Sequence, residues 1–203
     1  MMNSQLSPIL HFTTDINQSI DIAYDYFSKN IGDRAHRPAL FDKEVYIECA
    51  EIVNDRPVGF WHIISLEDKH NFSKIVPCVN DPSIDLCAQN CITKKNQIEI
   101  KYGTEVRCIC LYRAVRLPWI IDLIKMANRD DPSVQVWLKP GGQKANDRLY
   151  LRYNHDGNDF VVIFTVQKSF YRLVSAFPVF YLREKEDMNK DYDTYHWSYF
   201  SKS

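Results

Sequence analysis

His62 is the one side chain in the apolar run Gly59–Leu66 (GFWHIISL) that can exchange a proton near neutral pH. The run is rich in aromatic and β-branched residues, which predicts a strand. Alternation along that strand would place Phe60, His62 and Ile64 on one face and Trp61, Ile63 and Ser65 on the other. A half-buried, hydrogen-bonded histidine and a general acid or base both fit this position. A second feature is Arg113-Ala114-Val115-Arg116, directly before Leu117-Pro118-Trp119. Two guanidinium groups at a helix entrance can hold a phosphate, because they and the unsatisfied helix N–H groups point to one place. They can equally cap or solvate a loop. The C-terminal hairpin supplies the rest. On FYRLVSAFPVF, regular alternation would put Tyr171, Leu173, Ser175 and Phe177 on one face, with Lys168 at the preceding turn and Arg152 two strands earlier. Such a set of hydroxyls and cations can surround a scissile phosphate, although alternating strands always place polar groups somewhere.

The six cysteines are a further candidate group: Cys49, Cys78, Cys87, Cys91, Cys108 and Cys110. Their spacing, C-x8-C-x3-C and then C-x-C, lacks the paired C-x2-C knuckles of a zinc ribbon. Buried thiols are the default reading. A structural zinc at Cys78, Cys87 and Cys91, with His70 just upstream, is the alternative. The chain carries no Gly-rich phosphate loop, H-E-x-x-H, nucleophile elbow or paired-carboxylate motif. That argues against nucleotide hydrolases, metalloproteases and α/β-hydrolases.

These residues need elements to position them. Thr14-Asp15 offers an N-cap for an amphipathic helix over 15–29, with Ile16, Ile20, Ala23 and Phe27 on one stripe. Two short strands, or one strand with a bulge, are expected from Ala39 to Val53, with a turn at Asp55-Arg56-Pro57. One or two more follow from Glu99 to Tyr112. A central helix opens at Leu117-Pro118 and runs to about Asn128. Strands are then expected at 134–138, 148–153, 159–166 and 170–180, divided by turns at Pro140-Gly141-Gly142 and His155-Asp156-Gly157-Asn158. From Arg183 the chain reads as a C-terminal helix that frays near Trp197. The fold class is therefore α+β: a mostly antiparallel sheet with an N-terminal amphipathic helix, a central helix and a C-terminal helix. One domain is expected over 1–203, with a polar, cysteine-containing excursion at 68–96.

The 203 residues are 45% apolar and 13% aromatic, enough to build a sizeable core. No apolar stretch approaches the roughly 20 residues that span a bilayer, and the first thirty residues lack the pattern of an export signal. A cytoplasmic protein without membrane contact is the expectation. The net charge is −1, but residues 101–183 hold 13 basic against 7 acidic side chains. A basic segment suits a phosphate-bearing partner and suits ordinary surface cations equally.

Taken together, GFWHIISLE at 59–67, LYRAVRLPWI at 111–120, VQVWL at 134–138 and DFVVIFTVQKSFYRLVSAFPV at 159–179 resemble a family of phage and mobile-element proteins. Those proteins have the barnase–EndoU–colicin–RelE type of nuclease fold. The resemblance implies a metal-independent endoribonuclease, a toxin-like hydrolase that cuts tRNA or mRNA and is restrained by an antitoxin or immunity protein. It also implies roles. His62 matches the family's strand histidine, Arg113 and Arg116 its basic pair, and Ser175 its hairpin Thr/Ser. Arg152, Lys168 and Tyr171 would then bind substrate around these catalytic groups. Ser175 in place of the commoner Thr keeps the hydroxyl, and the excursion 68–96 reads as an insertion. The alternative is a non-catalytic RNA- or protein-binding factor, such as a phage anti-defence or regulatory protein, on the same scaffold.

Overall fold

A computed structural model describes residues 6–67, 99–102, 105–142 and 145–196. Helix α1 (Ile16–Phe27) begins where the sequence predicts. The Asp15 carboxylate accepts from the backbone N–H groups of Asn17 and Gln18 at 2.8 and 3.0 Å, a cap that contributes about 1 kcal/mol. Its buried stripe is Ser19, Ile20, Ala23 and Phe27, and a π-helical turn (Ser28–Gly32) ends it. Strand β1 (Glu44–Tyr46) follows, then the hairpin β2 (Ile52–Val53) and β3 (Arg56–Pro57). Asn54 and Asp55 both have positive φ, 48° and 59°, the type I′ geometry that matches the twist of a two-residue hairpin.

The run predicted as a strand over Gly59–Leu66 is a helix for most of its length. Helix α2 (Val58–Ile64) passes into β4 (Ser65–Glu67). A short apolar run carries no decisive period, and local geometry settles it here. Pro57 precedes the first turn with φ −58°. The N–H groups of Val58 and Gly59 donate to the carbonyls of Glu51 and Glu48, at 2.9 and 3.0 Å, so the helix N-terminus is satisfied by the preceding loop. β5 (Glu99–Tyr102) and β6 (Glu105–Ile109) join β4 in a three-stranded antiparallel sheet of order β4-β6-β5. A short helix α3 (Leu111–Ala114) that the sequence did not announce precedes the expected central helix, α4 (Leu117–Ala127).

The four remaining strands fall close to their predicted places: β7 (Val134–Lys139), β8 (Arg148–His155), β9 (Asn158–Val166) and β10 (Phe170–Pro178). With β1 they form a five-stranded sheet of order β1-β10-β9-β8-β7, antiparallel except for the β1–β10 pair. Asp156 and Gly157 close the β8–β9 hairpin with φ 52° and 76°, a second type I′ turn. Directly paired residues share a face. One face therefore carries Trp137, Tyr150, Arg152, Val161 and Ile163, and the other Leu149, Leu151, Tyr153, Phe160, Val162 and Phe164. Phe160 and Phe164 are fully buried, each contributing about 1.5–3 kcal/mol. Trp119 of α4 meets Phe160 edge-on at 5.4 Å. Helix α5 (Leu182–Tyr195) covers the opposite face, with Met188 and Tyr192 packed on the cluster of Trp137, Tyr150, Val161 and Ile163.

The fold is α+β, as expected. The chain expected as one domain over 1–203 is laid out as two compact units. One holds residues 1–7, 35–47 and 119–203, and the other holds 8–34 and 48–118. The chain passes between them after Ser7, Arg34, Ile47 and Pro118, so no one linker marks the division. The first unit contains the five-stranded sheet, α4 from Trp119 onward and α5; the second contains α1, α2, α3 and the three-stranded sheet. The excursion 68–96, including the zinc candidates Cys78, Cys87 and Cys91, lies outside the described residues, as does the predicted fraying at Trp197.

Candidate functional site

The second unit gathers a histidine and two arginines about the C-terminal end of α2. Of the seven residues of that helix, His62 alone is not buried. Helix C-termini leave carbonyl groups without internal partners, and cationic side chains satisfy them well. Arg107, on β6, reaches this end from a position only 4% exposed. Its Nε donates to Ser65 Oγ at 2.8 Å, and its Nη2 lies 3.2 Å from the Ser65 carbonyl and 3.5 Å from that of His62. Ser65 Oγ in turn donates to the Trp61 carbonyl. Arg113, half-buried on α3, donates from Nη1 to the Ser65 carbonyl at 3.0 Å. Arg107 and Arg113 thus both bind backbone carbonyls at the end of the helix that carries His62.

Arg116 stands immediately before α4, as the sequence reading requires, but its guanidinium turns back. It lies 3.4 Å from the centroid of the Tyr112 ring and donates to the Tyr112 carbonyl at 3.0 Å. At 4% exposure it is held against Tyr112 of α3. A second stacked guanidinium sits in the same unit. Arg56 lies over the rings of Tyr24, Phe60 and Trp61 at 5.2, 5.9 and 5.4 Å and is ion-paired with Asp21.

The remaining sequence candidates belong to the first unit. A β-bulge between Leu173 and Ser175 changes how they are displayed. Leu173 pairs with Phe164, but Ser175 pairs with Ile163, the next residue along β9. Neighbours on a strand face opposite ways, so Tyr171 and Leu173 lie on one face of the sheet while Ser175 and Phe177 lie on the other. The expected shared face of Tyr171 and Ser175 is therefore corrected. Tyr171 is buried, meeting Phe164 at 6.4 Å and carrying the Lys43 ammonium 5.3 Å from its ring centroid. Ser175 is half-buried, and Lys168 is exposed in the β9–β10 turn.

Arg152 has no exposed surface. Its Nε and Nη2 donate to the two carboxylate oxygens of Asp159, each at 2.7 Å, and its Nη1 donates to Asn189 Oδ1 of α5 at 2.8 Å. Lys185 Nζ stands 3.7 Å from the same carboxylate. This network fastens α5 to the sheet, and it accounts for an arginine that the sequence offered as a substrate contact. Lys139 and Asp191 add an ion pair at 2.6 Å between β7 and α5. The hydrogen bond that Lys139 donates to Asp191 raises the Lys139 pKa, and burial raises that of Tyr153.

Among the described residues, no three His, Cys, Asp or Glu side chains converge as a metal site. No helix among them is long and apolar enough to cross a membrane. Arg107 and Ser65 escaped the sequence reading. The available signal was a charged residue inside the apolar run Val106-Arg107-Cys108-Ile109-Cys110. Comparison with protein-family models, with curated proteins and with solved structures returns no match for this chain.

Proposed function

We propose that the protein is an endoribonuclease acting without a metal ion, with His62 as its proton-transfer group and Arg113 as its phosphate contact. The observation that supports this reading is that Arg107 and Arg113 both reach backbone carbonyls at the end of the helix that bears the half-buried His62, within one unit of the chain. The resemblance of 111–120 agrees with Arg113 at this site, whereas that of 59–67 expects His62 on a strand and the chain carries it on helix α2. In this chemistry the 2′-oxygen of RNA forms a bond to phosphorus and the P–O5′ bond breaks. His62 takes the 2′-OH proton, and water supplies the proton that the departing 5′-oxygen gains. Arg113 stabilises charge on the phosphorane. The products are a 2′,3′-cyclic phosphate and a 5′-OH end. Such an enzyme, working as a toxin on tRNA or mRNA in the cytoplasm, is held in check by an antitoxin or immunity protein.

The competing reading is a non-catalytic RNA- or protein-binding factor. It is favoured by the placing of Tyr171 and Ser175 on opposite faces of their sheet, which separates two hydroxyls expected at one phosphate. Incubation of purified protein with total tRNA in EDTA decides between them. Cleavage by the wild type, with a fall of about 10²–10⁴ in His62→Ala, is the expected result. A folded wild-type protein that leaves tRNA intact would favour the binding factor.

A further inference from the structure

Helix α2 is seven residues long, far too short to persist by its own hydrogen bonds. Its last four carbonyls, those of Trp61, His62, Ile63 and Ile64, have no partner within the helix. Three of them are taken up from outside: Trp61 by Ser65 Oγ, His62 by Arg107 Nη2, and Ile64 by the Cys110 N–H at 2.8 Å. Ser65 has no exposed surface and Arg107 very little. Arg107 binds both the hydroxyl and the carbonyl of Ser65, so the two side chains act as one buried cap on the turn that bears His62.

We propose that Arg107 and Ser65 are positioning residues for His62, fixing the last turn of α2 from beneath rather than touching RNA. The inference rests on the ribonuclease reading for its consequence in rate, but not for its geometry. A displacement of about 1 Å in a reacting group can cost about 10²-fold in rate without weakening substrate binding. Loss of the cap therefore acts on kcat, whereas loss of a phosphate contact acts on binding as well.

The test uses the full chain in Arg107→Met, Arg107→Lys and Ser65→Ala forms. The first readout is the 1H–13C cross-peak of the His62 ring, assigned by its disappearance in His62→Ala. The second is steady-state cleavage of tRNA. The cross-peak should move in Arg107→Met and Ser65→Ala. kcat should fall about 10- to 100-fold, with KM held within about twofold. Arg107→Lys should recover part of the loss, because it keeps a donor but not the fork. A His62 cross-peak that stays in place in both Arg107→Met and Ser65→Ala overturns the proposal, whether or not RNA is cut. A tenfold rise in KM with kcat intact also overturns it, by making Arg107 a substrate contact. If Arg107→Met does not fold, Ser65→Ala carries the same decision. A moved cross-peak in a protein that never cleaves RNA supports the positioning role and refutes the nuclease reading alone.

Discussion

Replacing Arg152 with Met separates a structural arginine from a substrate-binding one. The guanidinium is wholly buried, its Asp159 partner has a side chain only 5% exposed, and the two meet through paired 2.7 Å hydrogen bonds. Met has similar reach and no charge, so Arg152→Met leaves the carboxylate buried, with Lys185 at 3.7 Å as the nearest cation among the described residues. Breaking a buried pair in this way costs about 3–5 kcal/mol. It also removes the Nη1 bond to Asn189 that ties α5 to the sheet. With a urea m-value of about 2 kcal/mol per M, the midpoint should drop by about 1.5–2.5 M. Fluorescence of Trp137, stacked on Tyr150 at 4.7 Å beneath α5, reports the transition locally. The double variant Arg152→Met/Asp159→Leu removes both charges and should recover most of the loss, since apolar replacement of a whole buried pair is often neutral. A cost under about 1 kcal/mol for Arg152→Met, or a double variant as unstable as the single, would refute the assignment. RNA affinity that collapses while stability is kept would return Arg152 to the substrate.

Two further outcomes follow from the same unit. Lys139 and Tyr153 both have raised pKa values, so the folded state binds more protons than the unfolded one through the alkaline range. Their stabilisation is complete below the unfolded pKa values of about 10 and is lost as pH rises through the folded ones. The melting temperature should thus fall between pH 9 and 11.5, and fall less in a Lys139→Met/Tyr153→Phe variant when each is compared with its own value at pH 8. Deleting Val174 should be tolerated at about 1–3 kcal/mol, because the pairs Leu173–Phe164 and Ser175–Ile163 stay in register without the bulged residue. Cross-strand nuclear Overhauser effects between those pairs check it, and their loss would show that the bulge sets the register.

Much of the scaffold was legible because single residues fix it. Asp15 can cap the helix that follows it, and Asp156-Gly157 between two alternating runs leaves few choices but a tight hairpin. Phe60-Trp61-His62-Ile63-Ile64 was misread for a physical reason. Buried nearly all round, it shows neither the twofold nor the 3.6-fold period, and its helical form depends on carbonyls at Glu48 and Glu51. The bulge at Val174 has no glycine or proline to betray it, yet it turns Ser175 to the other side of the sheet. Of the site residues, the types were readable at His62 and Arg113 and the company they keep was not. Arg107 and Ser65 are 42 residues apart in the chain, and nothing local signals that they meet.

The parallel strand β1 sets the order in which this protein can be made. Glu44 pairs with Phe170, so the strand emerges from the ribosome 126 residues before its partner exists. At about 5–20 residues per second, it waits roughly 6–25 s for a neighbour. During that wait Val45 and the residues beside it are surfaces for chaperones or for other nascent chains, and closure of so long a loop is intrinsically slow. Synthesis speed across the second half of the message is thus a determinant of how much chain matures. A circular permutant that brings the two strands close in sequence would fold faster with the same final pairing.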